Sequence, residues 1–172
     1  GLRVVPVSLN VSRVDILACD VAEHMGALAA QYNLPPELMR IEITETANTG
    51  ESEAVDKLTA DLHTRGFSTY MDDFGTGQST LAMLKNVNVD VIKLDRTFVP
   101  VDGDRGRSAQ IVSSMLEMAQ SLHLPVVIEG IETNEQANML RHMGARYAQG
   151  FLYYRPMQAK DFEALLDGGN NN

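Results

Sequence analysis

Apolar residues fall in short runs along the chain, and four of these runs end in carboxylates. They are Arg40-Ile41-Glu42-Ile43-Thr44-Glu45, Tyr70-Met71-Asp72-Asp73-Phe74-Gly75, Val91-Ile92-Lys93-Leu94-Asp95 and Val126-Val127-Ile128-Glu129-Gly130-Ile131-Glu132. Short β-branched runs followed by a turn or a helix start read as buried parallel strands. The full pattern predicts strands at Val4 to Asn10, Met39 to Thr44, Phe67 to Asp72, Val89 to Leu94, Pro125 to Glu129 and Tyr147 to Gly150. Helices are predicted at Asp15 to Tyr32, where Leu17, Val21, Met25 and Leu28 form one stripe, and at Ser52 to Arg65, closed by Gly66. Further helices are expected at Ser79 to Lys85, Ser108 to His123, Asn134 to Met143 and Gln158 to Leu166. Thr133 and Gln136 have the spacing of a capping box before the Asn134 helix. Asp102 to Gly106 reads as a loop, and Gly168 to Asn172 as a frayed tail.

Strand and helix signals thus alternate in roughly six β/α units, where a closed barrel has about eight. The expected fold is an α/β barrel containing about six of eight strands, with an N-terminal portion worth two strands outside this sequence. Residues 1–167 are expected to form one partial domain and residues 168–172 a tail. An open doubly wound sheet is the alternative, but it would gather its site at a single switch point. Here acidic residues recur at nearly every strand end.

Side chains alternate faces along a strand. Lys93 and Asp95 therefore share a face, with Ile92 and Leu94 turned toward the outer helices. Glu42 and Thr44 share a face, as do Ser8 and Asn10, and Tyr147 and Gln149. In a barrel the C-terminal strand ends converge on one mouth. Gathering six or more acidic side chains there is costly unless cations neutralise them, so the pattern points to a metal site.

Composition adds limits. At 172 residues the chain can bury roughly 70% of its unfolded surface. No apolar run approaches the ~20 residues of a membrane helix. Cys19 is the single cysteine, which excludes an internal disulfide framework and suits a reducing, cytoplasmic location. The net charge of −9 argues against polynucleotide binding, which needs a basic footprint. It leaves room for a small phosphorylated ligand, because bound divalent ions invert the local field. The four histidines fall on predicted helices without ligand-like spacing, and the nine methionines read mostly as core filler.

Six ordered motifs carry a resemblance. They are Asn10 within Val7-Ser8-Leu9-Asn10-Val11-Ser12, Glu42-Ile43-Thr44-Glu45, Asp72-Asp73-Phe74-Gly75-Thr76-Gly77, Lys93-Leu94-Asp95-Arg96-Thr97-Phe98-Val99, Glu129-Gly130-Ile131-Glu132-Thr133, and Gln149-Gly150-Phe151-Leu152 with Pro156. Together they resemble the EAL-domain family of bacterial cyclic di-GMP phosphodiesterases over about Val4 to Leu166. The resemblance implies a modified (β/α)8 TIM-type barrel and Mg2+ or Mn2+ at a two-metal site. It implies metal ligation by Asn10, Glu42, Asp72, Asp73 and Glu129, and hydrolysis of cyclic di-GMP to linear pGpG. It assigns Lys93 to positioning or deprotonating a water, which as a base needs a lowered pKa. It assigns Asp95 to orienting Lys93 or a metal-bound water, Glu45 to anchoring the Phe74 to Ser79 loop, and Glu132, Gln149 and Pro156 to substrate contact. A homodimer and fusion to sensory or GGDEF domains are further expectations, and the parent can be membrane-anchored through such domains.

Two departures stand out. The family's signature Glu-Ala-Leu glutamate and a nearby phosphate-contacting arginine precede the matched segment, so this chain alone is expected to be inactive or nearly so. Glu163-Ala164-Leu165 lies in the last predicted helix and reads as coincidence. Gln78 stands where the family usually carries tyrosine.

Each residue also has a plain structural reading. Glu45 could start a helix, Lys93 and Asp95 could form an ion pair, and Asp72-Asp73 could belong to a turn. A cyclic di-GMP-binding sensor without catalysis is the first alternative function. A metal-assisted enolisation enzyme on a similar barrel is the second.

Overall fold

The computed structural model describes residues 4–44, 52–76, 88–99 and 106–168. Six strands form one sheet: β1 Val7–Val11, β2 Met39–Thr44, β3 Ser68–Phe74, β4 Val91–Leu94, β5 Val126–Ile128 and β6 Tyr147–Ala148. Every neighbouring pair is parallel, and the spatial order is β1-β2-β3-β4-β5-β6. This strictly sequential order separates the two expected folds. A doubly wound sheet reverses direction at its switch point, whereas a barrel adds each strand beside the last.

The helices are α1 Arg13–Ala18, α2 Val21–Tyr32, α3 Ser52–Thr64, α4 Arg107–Ser121, α5 Asn134–His142 and α6 Ala159–Gly168. Single 3-10 turns occupy Pro36–Leu38 and Arg96–Phe98. One face of the sheet is aliphatic, and Ile41, Ile43, Met71, Ile92, Leu94 and Ile128 are buried on it. Val55, Leu62, Val112, Leu116 and Leu140 of the helices join the same core. Burying a side chain of this size contributes about 1.5–3 kcal/mol, so this layer holds the sheet against its helices and leaves the other face for polar residues. Among the described residues β1 and β6 are the sheet's edges, and Val7, Leu9 and Tyr147 on them are exposed.

The predicted Asp15 to Tyr32 helix is two helices. Ser12 and Asp15 close a capping box that starts α1. Cys19 is extended, and the Asp20 carboxylate accepts from the Glu23 N–H at 2.9 Å to start α2. Two good cap residues eight positions apart outweigh the continuous apolar stripe. The first strand begins at Val7 rather than Val4, past Pro6, which has no N–H for a ladder.

The third strand runs two residues beyond its predicted end, through a bulge. Met71 pairs with Ile92 and Phe74 with Leu94, so three steps on β3 face two on β4. Asp73 takes a left-handed φ of 55° within it, a conformation aspartate tolerates better than most residues. The extra residue returns Phe74 to the core beside Met71, each 1% exposed. Plain alternation would have placed Phe74 on the face of Asp72. The predicted Ser79 to Lys85 helix, most of the Asp102 to Gly106 loop and most of the tail lie outside the described residues.

Candidate active site

Lys93 is the centre of the polar face. It lies on β4 and is 5% exposed. Its ammonium donates to Glu42 Oε2 on β2 at 2.7 Å and to Asp72 Oδ1 on β3 at 2.9 Å. Glu129, one residue past β5, places Oε1 2.6 Å from the same nitrogen. Three carboxylates thus meet a single cation, two through hydrogen bonds and Glu129 as an ion pair. The sheet register makes this possible: Lys93 pairs with Val127, two residues before Glu129, and Asp72 pairs with Thr44, two residues after Glu42.

Burial by itself pushes the Lys93 pKa down, but hydrogen bonds to Glu129, Glu42 and Asp72 outweigh it and hold it above the usual lysine range. In this arrangement Lys93 is a cationic donor and not a proton acceptor. Glu129 moves up as well: burial raises it, the Lys93 charge opposes, and the Asp72 and Glu42 charges add to the rise. One ammonium serves three carboxylates, so the cation is strongly stabilised while each anion remains crowded by its own kind.

The remaining sequence candidates take other places on the sheet and its loops. Asn10 is the register partner of Glu42 on β1 and is exposed. Asp73 follows Asp72 in the bulge. Asp95 turns elsewhere than expected. Its carboxylate accepts from the Thr97 N–H at 2.8 Å and caps the 3-10 turn. Slight burial raises the Asp95 pKa, but hydrogen bonds from Thr97 and the Arg96 charge outweigh it and the net shift is downward. The three carboxylates that hold Lys93 are others. Glu45 and Gln78 lie outside the described residues.

Glu132 and Gln149 are brought together by backbone. Ile131 N–H donates to Gln149 C=O at 3.1 Å, and Leu152 N–H donates to Ile131 C=O at 3.0 Å. Gly150 packs so closely on Ile131 that an added Cβ would overlap its carbonyl. The Gln136 amide oxygen accepts from the N–H groups of Glu132 at 2.9 Å and Thr133 at 3.1 Å. Gln149 and Pro156 line one open groove of about 710 Å³ with Phe151, Tyr154 and Arg155. The Arg155 guanidinium lies 4.6 Å from the Phe151 ring centroid.

Sequence reasoning overlooked Arg40 and Tyr70. The Arg40 guanidinium lies over the Tyr70 ring, 5.5 Å from its centroid. The signal was available, because each precedes a site carboxylate by two residues, and a two-residue step keeps the same face. It also overlooked Gly130, whose φ of 70° and close contact with Arg96 leave no room for a side chain.

Among the described residues, no three Asp, Glu, His or Cys side chains form a metal cluster by themselves. Glu42, Asp72 and Glu129 are instead drawn onto the Lys93 ammonium, a cation that shows they can converge within 2.6–2.9 Å of one point. The donors are all oxygens, the chemistry of hard ions such as Mg2+ and Mn2+. The donor set fits such an ion.

Comparison with known proteins identifies the family. The EAL domain family matches residues 2–156, and the chain belongs to that family. It is 37% identical over 148 residues to the cyclic di-GMP phosphodiesterase RocR of Pseudomonas aeruginosa, covering 86% of this chain and 38% of RocR. The EAL domain of Mycobacterium smegmatis DcpA superposes with a TM-score of 0.89 at 33% identity, over 95% of this chain and 74% of that one. The PaMucR phosphodiesterase, solved in complex with c-di-GMP, gives 0.85 at 29% identity, over 91% of this chain and 70% of that one. The chain therefore spans well under half the length of RocR. The barrel-like fold places it among α/β proteins of the TIM type.

Proposed function

We propose that this chain provides the site of a metal-dependent phosphodiesterase that opens cyclic di-GMP to linear pGpG. The observation that carries the reading is the convergence of Glu42, Asp72 and Glu129 from three strands on Lys93, in a family whose relatives include named cyclic di-GMP phosphodiesterases. Membership of that family sets the enolisation reading aside. Asn10, Glu42, Asp72, Asp73 and Glu129 would hold Mg2+ or Mn2+. Such ions supply charge neutralisation at the phosphoryl oxygens and a more acidic water.

The reaction adds a water oxygen to phosphorus and breaks the bond from phosphorus to one ribose 3′-oxygen. The departing 3′-oxygen takes a proton and the ring opens. A phosphodiester carries negative charge, so an uncompensated carboxylate mouth would repel it. Lys93, as an ammonium, donates toward the attacking water or a phosphoryl oxygen and fixes its direction. Glu132 and Gln149, clasped through Ile131, flank the bound nucleotide. The groove beside Pro156 receives its apolar parts. The Asp95 carboxylate holds the turn after β4 and so fixes the position at which Lys93 leaves the strand.

The exposed Val7 and Leu9 of β1 and Tyr147 of β6 support a further reading, that pairing at these edges favours a homodimer. Attached sensory or GGDEF domains in a longer protein belong to the same proposal. The test is calorimetric binding of cyclic di-GMP beside chromatographic detection of pGpG, with the longer protein compared. Binding with turnover supports the phosphodiesterase. Binding without turnover in the longer protein supports the sensor. Absence of both overturns the site.

A further inference from the structure

The carboxylate tier has a second tier beneath it. Arg40 precedes Glu42 by two residues on β2, and Tyr70 precedes Asp72 by two on β3. Both therefore belong to the polar face, and both are half-buried. Tyr70 is the register partner of Glu42, whereas Arg40 pairs with Ser68. The guanidinium lies over the ring of Tyr70, 5.5 Å from its centroid, so its partner is the residue in register with Glu42. Two residues of strand rise about 6.7 Å, which is within the ~8 Å screening length of physiological salt.

The charges above it do not balance. Three carboxylates share the Lys93 ammonium. Arg40 is a further cation on the same face. Among the described residues no carboxylate forms a salt bridge with it. An arginine paired with its own carboxylate would add little to the field above it. One held by an aromatic face keeps its whole charge. The ring also fixes where that charge sits, since a free arginine would sample many rotamers.

We propose that Arg40, held on Tyr70, is a fixed counter-charge that sets the affinity of the carboxylate site for divalent cations. It is a specificity-determining residue that touches neither ion nor substrate. It weakens cation binding, and keeps the cluster from closing too tightly on a doubly charged ion. This inference rests on the reading of the site as one for Mg2+ or Mn2+.

The test is titration of Mg2+ and Mn2+ into the full chain, followed by calorimetry and by the shift in thermal midpoint. Arg40→Gln should bind either ion roughly three- to tenfold more tightly, because a positive charge on the same face of the sheet has been removed. Arg40→Lys, which keeps the charge, should restore native affinity. Tyr70→Phe should bind as the native chain does, and Tyr70→Leu, which frees the guanidinium, should fall between native and Arg40→Gln. A purely structural role predicts the reverse, weaker binding in every variant that loosens the floor. Unchanged or weaker binding in folded Arg40→Gln overturns the proposal while leaving the metal site standing. If Arg40→Gln does not fold, Tyr70→Leu decides: tighter binding supports the proposal and native or weaker binding overturns it. A native chain with no saturable response to either ion overturns the metal reading and the proposal together, before any variant is compared.

Discussion

Lys93 Nζ and Glu129 Oε1 lie 2.6 Å apart across the β4–β5 boundary, and both groups have pKa values raised by the fold. For Lys93 the raised value means that its charged form is favoured by folding. That stability is fully present below the ordinary lysine value of 10.5 and is lost as pH rises through the higher folded value. Lys93→Met leaves three crowded carboxylates without their cation and should cost about 3–5 kcal/mol at neutral pH. Urea unfolding from pH 7 upward should show that cost constant to about pH 10 and shrinking only above it.

Glu129 gives the opposite lesson from the same sign. Its raised pKa means that ionising it in the fold is harder than in the unfolded chain. The stability it contributes while protonated is lost as pH rises from the ordinary value of 4.5 through its folded value. Glu129→Gln does not ionise, so its stability relative to native should improve across that interval. Unfolding midpoints in chelator, read between about pH 4.5 and pH 7, check this.

Gly130 bears on Arg96 with a φ of 70°. Gly130→Ala should therefore lose about 2–3 kcal/mol from strain and overlap. The displaced neighbour is Arg96, and the strained residue follows Glu129 directly in the chain, so cation binding should weaken alongside stability. Thermal unfolding and Mn2+ titration of one sample measure both.

The other end of the sheet supplies a control. His63 Nε2 lies 2.9 Å from Thr69 Oγ1 and 3.0 Å from Asp90 Oδ2, and Asn88 Nδ2 lies 3.2 Å from its Nδ1. Asp90 also accepts from the Thr69 N–H at 2.7 Å. Asn88 donates to Nδ1, so the network assigns the ring proton to Nε2. These residues tie the end of α3 to the starts of β3 and β4, away from the mouth. His63→Ala should cost about 1–2 kcal/mol and leave cation and cyclic di-GMP binding at native values in calorimetry.

Strand positions and the identity of the polar face were legible in the sequence because period-two alternation survives wherever one face is buried. Glu42 and Lys93 were found in this way, as was the convergence of three strands on one mouth. The bulge at Asp73 was not legible, since it breaks the alternation that the reading depends on, and Phe74 shows its face only once the register is known. The break between α1 and α2 was hidden because Leu17, Val21 and Met25 continue one stripe across it. Asp95 was misdirected by the same alternation: the strand ends at Leu94, and past that point the Thr97 N–H decides where the carboxylate turns. Arg40 escaped notice because its aromatic partner lies thirty residues away in the sequence.

The central claim is that Lys93 and its carboxylates form a metal-dependent site for cyclic di-GMP hydrolysis. It is tested most directly by following pGpG formation chromatographically in a protein that contains this chain, native beside Lys93→Ala, with Mn2+ and then after exhaustive chelation. The account predicts turnover by the native protein that chelation abolishes and that Lys93→Ala lowers by about 10² or more, while cyclic di-GMP still binds. Full turnover after chelation, or equal turnover in Lys93→Ala and native protein, would contradict it.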